Sequence, residues 1–298
     1  MRGTKLTKYN FAFESINTYN KYISSISTFS SGKIILLSLD GTIIIYDTNH
    51  NILQQIQNKY DSLINIDIKD ENNFVTCSIY GNIILWIKIE DNYKINQIIK
   101  NAHYAQINKV IYFHINNLIS CSYDKTVKIW EKINNNYQLK TILNHSKNVW
   151  SVLLLKDKNI LIITGDDGTK FWNTNNFELI IYFEKVKCRL WNSLDRIDKD
   201  RIIIGEKSLN LISISDKRII KEIKIPFICY AIKIVEKEEI MFIGGEKKDI
   251  LIYSYNNYNL IQIIKNSHNG YIYGFIELKN NSVASFSDDK TIKIWSFN

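Results

Sequence analysis

The sequence predicts an all-β protein: a single β-propeller ring of seven four-stranded antiparallel blades, with an amino-terminal strand closing the last blade. Three observations predict it. Short apolar runs of period two recur through all 298 residues with turn residues between them. A related segment occurs seven times at nearly constant spacing. The last copy stops too early to supply its own outer strand, while an otherwise unplaced strand precedes the first.

The clearest copies are SCSYDKTVKIW, ending at Trp130, and SFSDDKTIKIW, ending at Trp295. Aligned on that aromatic end, the others are SLDGTIIIY to Tyr46, SIYGNIILW to Trp86, TGDDGTKFW to Trp172, GEKSLNLIS to Ser213 and GEKKDILIY to Tyr253. The steps between those ends are 40, 44, 42, 41, 40 and 42 residues, the period of a four-stranded propeller blade. Each copy reads as strand, turn, strand, turn, strand and a further strand, as at 137–143 and 178–183. No linker or domain boundary interrupts them, so residues 1–298 are expected to form one domain.

Polar residues inside three copies add to the periodicity. His103, Ser122, Asp124 and Trp130 are spaced by 19, 2 and 6; His145, Thr164, Asp166 and Trp172 repeat that spacing, and so do His268, Ser287, Asp289 and Trp295. A tryptophan N–H only donates, an ionised aspartate only accepts, and hydroxyl and imidazole do both. Together they can form a closed buried network that ties three strands and fixes register. These twelve residues are therefore expected to be structural rather than catalytic or metal-binding.

On these residues the chain resembles the WD-repeat (WD40) family, which places a histidine before the first strand of a blade, a hydroxyl and an aspartate around the second, and a tryptophan in the third. The closing dipeptide is degenerate here (Trp130-Glu131, Trp172-Asn173, Trp295-Ser296), and Tyr80, Lys207 and Lys247 stand where the aspartate belongs in copies two, five and six. Those blades must rely on apolar packing. The final copy ends three residues after Trp295, and residues 8–15 (KYNFAFES) alternate aromatic with small or polar residues. They are expected to pair with the last blade, removing two open sheet edges.

Composition narrows the function classes. With 45% hydrophobic residues the chain can fill a continuous core. The charge is +8, but only five of 38 basic residues are arginine (Arg2, Arg189, Arg196, Arg201 and Arg218), and arginine carries the fork geometry that reads phosphate and guanine. Solvated lysines are the simpler reading of the charge. Cys77, Cys121, Cys188 and Cys229 form no CxxC pair and no metal-ligand spacing. With no signal-like apolar run and no stretch of eighteen apolar residues, a cytoplasmic or nuclear protein with reduced thiols is expected.

Phosphate-loop, GxSxG and HExxH patterns are absent. No catalytic residue, metal or cofactor is implied, and the expected role is a non-catalytic scaffold in a protein complex. The family resemblance implies that partners bind the face carrying the loop before the first strand and the turn after the second. In this sequence those positions are Asn108, Tyr123, Trp150, Tyr271 and Tyr273, with Tyr22, Arg189 and Trp191 in the degenerate copies. Large aromatics with a polar tip suit a peptide-binding rim. The other reading of Trp150 and Trp191 is ordinary core between blades. The competing function is binding of RNA, phosphoinositide or another anionic ligand through the basic surface.

Overall fold

The computed structural model describes residues 11–16 (as backbone), 22–59, 61–114, 117–279 and 281–297. It is a ring of seven four-stranded antiparallel sheets, in which β1 (Phe11–Ile16) is the outer strand of blade seven. The inner strands are β2 (Ile23–Thr28), β6 (Leu63–Asp70), β10 (Ile107–Phe113), β14 (Val149–Leu155), β18 (Leu194–Arg196), β22 (Cys229–Val235) and β26 (Ile272–Glu277). Each touches the next, and β26 returns to β2. Blades one to six take their remaining three strands consecutively.

The middle strands carry apolar residues on both sides because both faces of a blade are covered. In β3 (Ile34–Ser38), Ile34 and Leu36 pack toward blade seven, while Ile35 and Leu37 pack toward blade two. Period two therefore sorts side chains between two neighbours rather than between core and water. Seven apolar clusters result, one at each blade junction. The outer strands face solvent, as in β5 (Ile52–Gln57), where Ile52 and Leu53 are exposed. All four cysteines are free and buried.

Side chains of the inner strands also stitch one blade to the next. Asn65 and Asp67 accept from the backbone N–H groups of Val110 and Tyr112, at 3.3 and 2.6 Å. Asn108 donates to the Val149 carbonyl at 2.6 Å, and Asp195 accepts from the N–H of Ile234 at 2.9 Å. The inner ring is thus closed by hydrogen bonds as well as by packing.

Closure at the seam rests on β1, which pairs with β28 (Ile292–Phe297) from Phe11 opposite Phe297 to Ile16 opposite Ile292. Residues 8–10 of the expected strand lie outside the described residues, and the observed strand runs one residue past the expected end. Without β1, β28 becomes an open edge. Removing residues 1–15 should lower the melting temperature by on the order of 10 °C, measured by thermal unfolding; a melt within about 2 °C of the parent would show that the ring does not need this strand.

Candidate functional site

The loop face is held in place by hydrogen-bond relays inside blades three and seven. In blade three, His103 Nδ1 meets Asp124 Oδ2 at 2.8 Å, His103 Nε2 meets Ser120 Oγ at 2.7 Å, and Trp130 Nε1 donates to Ser120 Oγ at 2.8 Å. Blade seven repeats this with His268, Asp289, Ser285 and Trp295 at 3.0, 2.7 and 2.8 Å. The bridging hydroxyls are therefore Ser120 and Ser285, not the expected Ser122 and Ser287. Side chains two residues apart on a strand share a face, and the tryptophan lies nearer Ser120. Ser122 and Ser287 instead accept from the N–H groups of Asp124 and Asp289, shaping the turn.

Blade four departs further from expectation. His145 pairs with Asp167 at 3.0 Å, not with Asp166, and Thr164 bonds to Thr169 rather than to the histidine or Trp172. Strand pairing gives the reason. Ser120 stands opposite Lys128 and Ser285 opposite Lys293, but the residue opposite Lys170 is Ile163. One residue has been added before the second strand and one removed after it, so the histidine-to-tryptophan spacing survives while the strand between slips by one. Consequently His145 Nε2 and Trp172 Nε1 are buried without partners. Blade two keeps half of the relay, with Trp86 Nε1 donating to Thr76 Oγ1 at 3.0 Å.

The relays set proton affinities. Burial, outweighing the aspartate beside each, holds His103 and His145 below the usual imidazole range. Burial alone would raise the partner carboxyls, but hydrogen bonds from the histidines hold Asp124 and Asp289 well below the carboxylate range and Asp167 at about 2. Each effect makes the unfolded chain the better proton acceptor, so stability falls as pH falls through the unfolded values.

On the same face, β-bulges supply two of the rim aromatics, Trp150 and Tyr273. The pairing of the first strand shifts at Ser24, Ile64, Asn108, Trp150, Tyr230 and Tyr273, one residue in each of six blades. A bulge leaves its residue unpaired and re-aims its side chain. Tyr22, Tyr123, Trp150, Trp191 and Tyr273 converge with Ile64 on a cavity of about 290 Å³ at the axis. Tyr123 meets Trp150 edge-on at 4.9 Å between ring centres, and Tyr273 stacks on Tyr230 at 6.0 Å. Burial pushes the Tyr273 phenol up to about 12 and raises that of Tyr123, so neither ionises near neutrality.

Trp150 and Trp191 serve both as rim and as core. Each lines the cavity, while Trp150 also packs into the cluster between blades four and five and Trp191 into the cluster between blades two and three. Trp191 gets there because the first strand of blade five is only three residues long, and a turn closed by Ser193 Oγ on the Leu190 carbonyl precedes it. That segment crosses the axis. The Trp191 carbonyl accepts from Lys109 Nζ at 3.2 Å and Ser151 Oγ at 2.7 Å, and Asn192 donates to the Tyr273 carbonyl at 2.8 Å. Gly274 makes room both for the Phe286 ring and for this contact, since a Cβ there would lie 2.2 Å from the ring and 2.8 Å from Asn192 Nδ2.

Three expected rim residues lie elsewhere. Asn108 is fully buried, because its amide is spent on the Val149 carbonyl, and it offers a ligand nothing. Tyr271 stands outside the cavity, 45% exposed and edge-on to Tyr230 at 6.1 Å. Arg189 faces a separate basic hollow and pairs with Glu206 at 3.0 Å. Unanticipated were Ser120 and Ser285, although a hydroxyl ten residues before a tryptophan recurs at Thr76, and Asn192, whose partner lies 81 residues away.

Residues 96–131 and 136–173 match the family model described as WD domain, G-beta repeat. Each match begins on or beside the outer strand of one blade and ends in the third strand of the next, the same phase shift that leaves β1 to complete blade seven. Two stretches of the chain thus match WD repeats, within a ring that is a seven-bladed β-propeller. Propellers of this family typically serve as protein-interaction scaffolds and are generally non-catalytic. No curated protein matches the chain. Among the described residues, no group of three His, Cys, Asp or Glu could hold a metal ion, and no helix is long and apolar enough to cross a membrane.

Two outcomes follow from the relays. Ser120→Ala should cost about 2 kcal/mol by orphaning His103 and Trp130, whereas Ile163→Thr should cost less than about 1 kcal/mol or stabilise, because its hydroxyl meets two orphaned groups. Denaturant unfolding compares the two, and equal losses would refute the assignment. The melting temperature should also fall as pH drops below about 6.5, and again below about 4, at fixed ionic strength; a flat profile between about pH 7 and 5 would contradict the histidine part.

Proposed function

We propose that the protein is a non-catalytic scaffold that binds a peptide, or an extended segment of a protein subunit, at the aromatic mouth of the ring. The observation that carries this reading is the convergence of five aromatic side chains from blades one, three, four, five and seven on one cavity. A concave, largely apolar site with a few polar tips is what a peptide side chain needs in order to be desolvated and oriented. Bulges at Trp150 and Tyr273 and the hydrogen bonds of the Trp191 segment hold three of these rings before any ligand arrives, so less ordering entropy is lost on binding. A cytoplasmic or nuclear setting belongs to the same reading, supported by four free buried thiols.

Peptides selected from a displayed library against the folded protein provide the test. Tyr273→Ala and Trp150→Ala should each weaken the selected peptides by tenfold or more, about 1.4 kcal/mol, measured well below each variant's melting temperature because both rings also pack against core clusters. Since Trp86, Trp130, Trp172 and Trp295 are packed inside blades, ligand-induced changes in tryptophan emission should come from Trp150 and Trp191 and shrink in Trp150→Phe. Binding unaffected by both alanine variants would rule out the mouth as the site.

A further inference from the structure

A second hollow opens on the same face, over the junction of blades four and five, with a volume of about 800 Å³. Five cationic side chains line it: Lys147, Lys185, Lys187, Arg189 and Lys207. Lys147 lies in the loop before β14, Lys185 and Lys187 in the segment joining the two blades, and Lys207 in the turn between β19 (Arg201–Gly205) and β20 (Ser208–Ser213). Buried Val186 anchors the joining segment between its two lysines.

Three carboxylates share the hollow, but two are engaged. Asp166 accepts from Trp150 Nε1 at 2.8 Å, and Glu206 pairs with Arg189. Among the described residues none of the four lysines makes an ion pair, leaving Glu184 as the one carboxylate without such an engagement. With five cations against three carboxylates, the lining carries a net charge of about +2, and its four lysines are not tied up in ion pairs. Trp150 belongs to the wall of both hollows. Because Trp150 is common to both walls, the two hollows adjoin, and neighbouring residues of one extended chain can occupy them.

We propose that this hollow receives an anionic side chain, carboxylate or phosphate, carried by the same peptide next to the residue that fills the aromatic mouth. The inference rests on the mouth being a peptide site and adds the chemical class of its ligand: an acidic or phosphorylated segment with an apolar or aromatic anchor. Lysines act as mobile point charges rather than as forks, so they suit an anionic group of variable position more than the planar reading of a base edge. The lysine stems also leave the hollow open enough for more than one charge.

The test uses peptides selected against the whole protein, each synthesised with glutamate, phosphoserine or serine at the charged position and titrated calorimetrically at low and high salt. Glutamate or phosphoserine forms should bind at least tenfold tighter than the serine form at low salt, and the advantage should shrink as salt is raised. A phosphoserine form well above glutamate assigns phosphate; near equality assigns carboxylate. In Lys185→Glu/Lys187→Glu the preference should disappear while the serine form keeps its affinity, which also shows that the variant is folded. Equal binding of charged and neutral forms by the parent, or a preference that survives charge reversal, overturns this inference and leaves the mouth intact if Tyr273→Ala still weakens binding tenfold or more. Peptide binding indifferent to Tyr273→Ala removes both. A single-stranded RNA oligonucleotide that binds through these lysines and ignores Tyr273→Ala would also overturn it, making the hollow a nucleic-acid site.

Discussion

Every blade in this protein is apolar on both faces, and that constraint governs the rest. A sheet with one buried face can rest on a single partner, but a sheet with two needs a neighbour on each side. Ile34 and Leu36 on one face of β3 and Ile35 and Leu37 on the other cannot all leave water unless blades seven and two are both in place. The requirement passes from blade to blade until it returns to its start. Pairing of β1 with β28 and the inner-strand hydrogen bonds from Asn65, Asp67, Asn108 and Asp195 follow from this need to close.

The architecture was legible in the sequence because the repeated signal is long and redundant. Seven copies, six of them ending in an aromatic residue, at steps of 40 to 44 residues fix the number of blades even where the polar pattern is lost. Relay details were less legible, and blade four shows why. Its His145-to-Trp172 spacing matches that of His103 to Trp130, yet the strand between has slipped by one residue. An insertion and a deletion that cancel leave no trace in spacing, and only strand pairing shows that Asp167 and Ile163 hold the places of Asp124 and Ser120.

The rim was legible to the extent that it follows from local backbone. A bulge at the second residue of the first strand recurs in six blades, so counting from the histidines found Trp150 and Tyr273. The same count named Asn108, which occupies the bulge but spends its amide on Val149. Whether a bulged side chain meets solvent or a neighbouring blade depends on contacts distant in sequence. The basic hollow was hidden for a related reason: Lys147, Lys185, Lys187 and Lys207 are separate along the chain and read one by one as solvated surface charges.

The segment at Trp191 and Asn192 has a mechanical meaning. A ring joined only from neighbour to neighbour can change its bore by small tilts shared among seven junctions. Here the Trp191 carbonyl is held by blades three and four, and the Asn192 side chain reaches past blade six to blade seven. These chords span the circle and fix its aperture, much as spokes keep a wheel true. In the peptide-binding role proposed for it, the mouth acts as a gauge of constant setting that sorts by the size of what is inserted, while adaptation falls to the side chains around its edge.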